Sequence, residues 1–123
     1  PVADLAEAYR LDLDGGAVAE LLGGGPSEVP DRYRAADPRT SVPIRSRIVV
    51  IHGEMDQQVP AAMSRDFVAA ARTAGSDIAH YELPECEHFG LIDPESAAWP
   101  VVVAALRSLH EDQRPIDAAS PTR

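Results

Sequence analysis

The sequence predicts an α/β fold built on a strand–helix–strand–helix (βαβα) unit, and three stretches carry that expectation. "IVVI" (Ile48 to Ile51) is β-branched throughout and lacks polar alternation, the mark of a strand covered on both faces in a parallel sheet. "PAAMSRDFVAAARTAG" (Pro60 to Gly75) then places apolar residues at helical spacing. "DIAHYEL" (Asp77 to Leu83) returns to a period of two, as a second strand does. Two parallel strands need a crossover of this kind, and a right-handed one is expected.

Residues 1–46 come first and read as a helical and loop excursion rather than a core in its own right. "DGGAVAELLGGG" (Asp14 to Gly25) predicts a short helix around Ala17–Leu22, ended by glycines that permit a left-handed exit. Prolines at 26, 30 and 38 leave room for at most single helical turns between Pro26 and Pro38. In the first long helix Pro60 suits the first turn and Gly75 the exit, with Met63, Phe67, Ala70, Ala71 and Ala74 as the apolar stripe. In the second strand Ala79, Tyr81 and Leu83 alternate with His80 and Glu82, so one face is wetter and the strand sits nearer the sheet edge. The last helix lies within Asp93–His110, with Val102, Leu106 and Leu109 on one side. Pro100 requires a kink or a short turn before the main helix begins near Trp99–Pro100. Residues 47–110 thus hold the βαβα unit, residues 1–110 form part of one domain, and 111–123 read as a mobile tail. Two strands alone cannot cover both faces of "IVVI", so further strands are expected beside it.

Composition narrows the class of protein. With 123 residues and 45% apolar content, one domain with an aliphatic core is possible, since aromatics are only 5%. A net charge of −9 argues against nucleic acid or an anionic membrane as partner. Cys86 is the single cysteine, so no intrachain disulfide can form. No stretch approaches the roughly 18 apolar residues of a membrane helix. No signal peptide is visible and a cytoplasmic location is expected, but the chain opens at Pro1, so a true N-terminus with any targeting signal can lie upstream.

In open parallel sheets, reactive groups collect in loops outside the carboxyl ends of the strands. "HGEMDQQVP" carries Asp56 after the first strand, and "PECEHFGLIDP" carries His88 after the second. Adjacent strands bring both loops to one edge. A carboxylate bonded to one imidazole nitrogen fixes the tautomer and leaves the other nitrogen free to accept a proton from a nucleophile.

"VVIHGEMDQQVP", followed by a helix, a strand and "HFGLIDPES", resembles the C-terminal half of an α/β-hydrolase, nearest in pattern to the prolyl-oligopeptidase-like and esterase branches. Gly53, Asp56, Val59 and Pro60 match the family's G-x-x-D-x-x-V-P loop after its seventh strand, and His88-Phe89 match the loop after its eighth. "PVADL" resembles the segment after the sixth strand, so the resemblance runs from Pro1 to Leu109. It implies a partial α/β-hydrolase fold, the last two parallel strands plus preceding short helices, with Asp56 as catalytic acid and His88 as catalytic base. It also implies a serine hydrolase acting on a small-molecule ester or amide through an acyl-enzyme, with no cofactor and no metal. The sequence departs from the family in having no G-x-S-x-G. Ser27, Ser41, Ser46, Ser64, Ser76, Ser96, Ser108 and Ser120 lie in loops, on helix surfaces or in the tail, and none follows a buried strand. The nucleophile and oxyanion hole are therefore expected upstream of Pro1, in a missing N-terminal half, and this chain alone is expected to be inactive. The alternative is a non-catalytic, truncated or partner-dependent chain.

Other candidates have plainer readings. His52 ends the buried strand and is expected to pack or bond to backbone, and His80 within a strand reads as structural. Cys86 is a loop neighbour of His88 and poorly aimed at it for a Cys–His enzyme. His52, Asp56, Glu87 and His88 lack metal-ligand spacing. Asp93 is expected to cap the last helix, and Trp99 to pack between that helix and the sheet.

Overall fold

Three short helices lead into the sheet in this computed structural model, which describes residues 1–112. Helix α1 (Leu5–Arg10) starts at Asp4, whose side chain accepts from the Glu7 amide at 2.9 Å. Helix α2 (Ala17–Leu22) has the expected bounds and leaves through Gly23 at φ 83°. Helix α3 (Pro30–Ala36) is longer than the single turn the prolines suggested. Pro30 opens it at the first helical position, where no amide hydrogen is needed, so all seven residues before Asp37 are available. Ala8, Val18, Leu22 and Tyr33 from these helices close on Val59 and Met63, so the segment caps the junction between the first strand and the next helix.

Strand β1 (Ile48–Gly53) pairs in parallel with β2 (Ile78–Leu83), Ile48 opposite Ile78 and Gly53 opposite Leu83. Helix α4 (Ala61–Thr73) joins them, beginning just after Pro60. Its buried band is Met63, Ser64, Phe67, Val68 and Ala71. That differs from the expected stripe: Ala74, the C-cap, is exposed, whereas Ser64 and Val68 are buried because the band centres on Phe67–Val68. Phe67, Val68 and Ala71 pack on Val50, Ile78 and Ala3, and this is the main core. Burying a side chain of that size contributes roughly 1.5–3 kcal/mol.

Of the "IVVI" residues only Val50 is buried, and the rest are partly exposed, because β1 has a strand on one side only among the described residues. In β2 the wetter face is the one carrying Tyr81, which is 48% exposed. Ile78 and Glu82 turn instead toward α4, where Glu82 pairs with Arg65. Helix α5 (Trp99–Asp112) starts at Trp99 after a short turn, with Pro100 in its first turn, where it breaks no hydrogen bond. Asp93 does not cap α5. It accepts from the Glu95 amide in the preceding turn, while Ser96 Oγ accepts from the Trp99 amide. Trp99, Val102 and Leu109 are half-buried, but Leu106 is 61% exposed, so the predicted apolar side is only partly covered. Glu111 and Asp112 extend α5, and the rest of the predicted tail lies outside the described residues. No helix among the described residues is long and apolar enough to cross a membrane.

Candidate active site

Strand register brings the two predicted loops together. Past the last paired residues, Glu54 donates its amide to Leu83 and Met55 to Cys86, at 2.9 and 3.0 Å. Gly53 permits this approach, because a Cβ there would collide with the Cys86 carbonyl. The β1 loop then turns back so that one Asp56 oxygen, Oδ1, accepts the Gln58 and Val59 amides, both at 2.9 Å. These bonds hold the carboxylate as an Asx turn does, and they leave Oδ2 free to point across the gap.

There Asp56 Oδ2 meets His88 Nδ1 at 2.8 Å. His88 opens a short 3-10 turn, His88–Leu91, which starts when the Glu87 carboxylate accepts the Phe89 amide. The Phe89 ring stands edge-on to the imidazole, with centroids 5.0 Å apart. The Asp56 side chain is 5% exposed and that of His88 is 35% exposed. Among the described residues Nε2 of His88 has no hydrogen-bond partner. Burial acts to raise the pKa of Asp56, but the Val59 amide, the His88 ring and the Gln58 amide outweigh it and hold the carboxyl below its ordinary value. The pair is therefore an ionised carboxylate gripping one nitrogen of a partly exposed imidazole.

Two cavities meet at His88. One, of about 510 Å³, follows the unpaired edge of β1 from Ile48 to His52 and ends at Asp56 and His88. The other, of about 630 Å³, lies between Leu13, Val18 and Gln58 and also reaches His88.

The remaining candidates fall elsewhere. Cys86 is buried and donates to its neighbour's carbonyl at 3.4 Å. Burial, then the charges of Glu87 and Asp56, push its thiol pKa up, so it stays protonated and unreactive. His80 lies in β2 with Nε2 buried and without a partner among the described residues. Burial pushes its pKa down; Glu82 opposes this, and Arg72, His52 and Arg65 add to it. No group of three or more His, Cys, Asp or Glu among the described residues could hold a metal ion.

His52 bonds to backbone, as expected, through Nε2 and the Val59 carbonyl at 2.9 Å. Its other contacts were not foreseen. Nδ1 lies 2.5 Å from Ser64 Oγ, and Nε2 lies 3.2 Å from Asp56 Oδ2. Ser64, expected on a helix surface, is fully buried. The available signal was a serine inside the apolar band between Met63 and Phe67, which has to find a polar partner when buried.

No family model matches this sequence. A stretch of 61 residues, 48% of the chain, is 43% identical to the esterase LipQ of Mycobacterium tuberculosis (strain ATCC 25618 / H37Rv) and spans 14% of that protein. Among solved structures, a thermophilic esterase from the Planctomycetes species Thermogutta terrifontis (Est2, native) superposes on 85% of the chain with a TM-score of 0.57 and 21% identity. The chain covers 36% of that esterase. Two parallel strands, their crossover helix and the flanking helices make the architecture a partial α/β-hydrolase fold, related over a limited length to proteins named as esterases.

Proposed function

We propose that this chain is the C-terminal part of a serine hydrolase of the esterase type, supplying the acid and base of its catalytic triad. The observation that carries the reading is the 2.8 Å bond from His88 Nδ1 to Asp56 Oδ2, in a residue that lines a cavity. Matches to proteins named as esterases, of which the chain spans 14% and 36%, support both the chemistry and the fragment reading.

A serine on the preceding part of the chain attacks the carbonyl carbon of a carboxylic ester. His88 Nε2 removes the hydroxyl proton as the new C–O bond forms and returns it to the departing alkoxide, leaving an acyl-enzyme. Water then attacks the acyl carbon, again losing its proton to Nε2, and the serine takes that proton back. Asp56 stays ionised, holds the proton-bearing Nδ1 and stabilises the imidazolium in both halves of the cycle. Peptide-like amides, as in the prolyl-oligopeptidase-like branch, would use the same groups.

The unpaired edge of β1 is where the preceding strands of such a fold would add. A fluorophosphonate probe tests the assignment. The isolated 123 residues should remain unlabelled, while the full-length protein should label on an upstream serine and lose that labelling in His88→Ala. Strong labelling of the isolated chain would overturn the upstream placement of the nucleophile, and undiminished labelling of His88→Ala would overturn the base.

A further inference from the structure

We propose that the 630 Å³ cavity between Leu13, Val18 and Gln58 is the leaving-group pocket of the ester reaction, suited to an uncharged, apolar alcohol. The proposal rests on the acid–base reading of Asp56 and His88 above. The volume falls in the ~300–1,000 Å³ range of small-molecule sites.

The two cavities that reach His88 share Val2 and Val59 and then run apart. One follows the unpaired edge of β1 as far as Ile48, the side on which preceding strands and their serine would arrive. The other is walled by Leu13 and α2 on one side and the Asp56 loop on the other. Proton balance decides which part of an ester this second cavity takes. In acylation the serine oxygen bonds to the carbonyl carbon, the bond from that carbon to the alkoxy oxygen breaks, and His88 returns the proton to that oxygen. Such a transfer needs the oxygen within roughly 2.6–3.2 Å of the imidazole. The alcohol portion therefore begins against His88, whereas the carbonyl oxygen points to its own donors and the acyl chain stays on the serine. Once the alcohol departs, the same cavity admits water to the acyl carbon beside His88.

The walls determine which alcohol fits. Val18 and Val59 are 8% and 9% exposed and belong to one core cluster, with Leu13 packed against it. Core packing holds these side chains in place. Asp56 Oδ1 accepts the Gln58 and Val59 amides, so the loop that anchors the acid is also a wall of the pocket. An apolar alcohol gains by burial against such a surface. Asp12 and Asp14 line the cavity and are exposed, and no lysine or arginine lines it among the described residues. An anionic alcohol portion would meet like charge there with nothing to neutralise it.

The test compares two ester series in the full-length protein. Methyl, butyl and benzyl acetate vary the alcohol, and methyl acetate, butyrate and phenylacetate vary the acid. Acetate esters share one acyl-enzyme, so a variant's change in kcat/KM along the first series reports contacts of the alcohol. Leu13→Trp and Ala17→Phe fill the cavity and should cut the advantage of benzyl over methyl acetate by about tenfold, with the order of the second series kept. An unmoved alcohol series in the folded variants, or a moved acyl series instead, overturns the proposal. If Leu13→Trp does not fold, Ala17→Phe decides alone. The acetate ester of para-(hydroxymethyl)benzoate should be poorer than benzyl acetate, and the gap should narrow at low salt when Asp12 and Asp14 are both replaced by Asn. An unchanged gap overturns the charge selection. Benzyl alcohol itself, followed by NMR, should perturb the Leu13 and Val18 methyls and the His88 ring without any turnover. Undiminished hydrolysis by His88→Ala would sink the catalytic reading. Perturbed methyls would then keep the cavity as an apolar-alcohol site, and unperturbed ones would overturn that as well.

Discussion

Replacing Asp56 by Asn removes charge with almost no change of shape, and the contacts of the carboxylate determine the cost. The Asn carbonyl oxygen can keep the Gln58 and Val59 amides, both at 2.9 Å from Oδ1. The new NH₂ group then stands where Oδ2 accepted from His88 at 2.8 Å and lay 3.2 Å from His52 Nε2. It opposes the His88 N–H and can bond that ring only if the proton moves to Nε2, the nitrogen needed as base. One charge-assisted bond is lost and a donor–donor conflict appears, a destabilisation of about 2–3 kcal/mol. The folded pKa of Asp56 lies below its ordinary value of 3.8, so its stabilisation is present above that pH and lost as pH falls through the folded value. Urea melts should therefore separate wild type from Asp56→Asn at pH 7, with the gap closing below about pH 4. On the proposed serine-hydrolase reading, kcat of the full-length protein should fall by about 10⁴, the loss seen when a triad histidine is held in the wrong tautomer. A gap that is absent at pH 7 or independent of pH would refute the account of Asp56. Near-normal turnover would refute its catalytic role.

Three further changes probe the frame around the pair. Gly53→Ala places a methyl group against the Cys86 carbonyl and forces the two loops apart. It should cost about 1–3 kcal/mol in denaturant melts and perturb the His88 resonances, and an unchanged melt would show that the loops yield freely. Phe67→Ala empties the core between α4 and the sheet, where Phe67 is 5% exposed, and should cost about 3–5 kcal/mol by the same melts. His80→Leu removes a buried nitrogen that has no partner and should stabilise by about 1 kcal/mol at neutral pH. Because the His80 pKa is lowered in the fold, wild type should lose stability as pH falls below about 6.5, and His80→Leu should lose less over that range.

The βαβα unit was legible because each element has a local cause. β-branched runs, a proline entry and a glycine exit announce β1, α4 and β2 before any tertiary contact is considered. The Asp56–His88 meeting was legible too, because parallel neighbours put their following loops at one edge. What escaped the sequence depends on which side of an element is covered. Ser64 reads as a surface serine until α4 is rotated onto β1, and Tyr81 reads as inward until α4 takes the other face of β2. Helix α3 was underestimated because Pro30 was weighed as a breaker rather than as a starting residue. Asp93 looked like a cap, but Pro100 sets the start of α5 several residues later.

The Asp56–His88 pair is assembled entirely within this segment, which separates its geometry from whatever lies along the free edge of β1. Register fixes Gly53 opposite Leu83, the Glu54 and Met55 amides tie the two loops, and backbone amides anchor Asp56. His52 and Ser64 add support from the core side of the same strand and helix. None of these contacts uses the open edge. Strands added there would cover Ile48 and Ile51 and close the 510 Å³ cavity from the far side. They would bring a nucleophile toward His88 Nε2 without rebuilding the couple behind it. On the proposed reading, this segment would set the proton chemistry and the preceding strands would decide which carbonyl is presented to it.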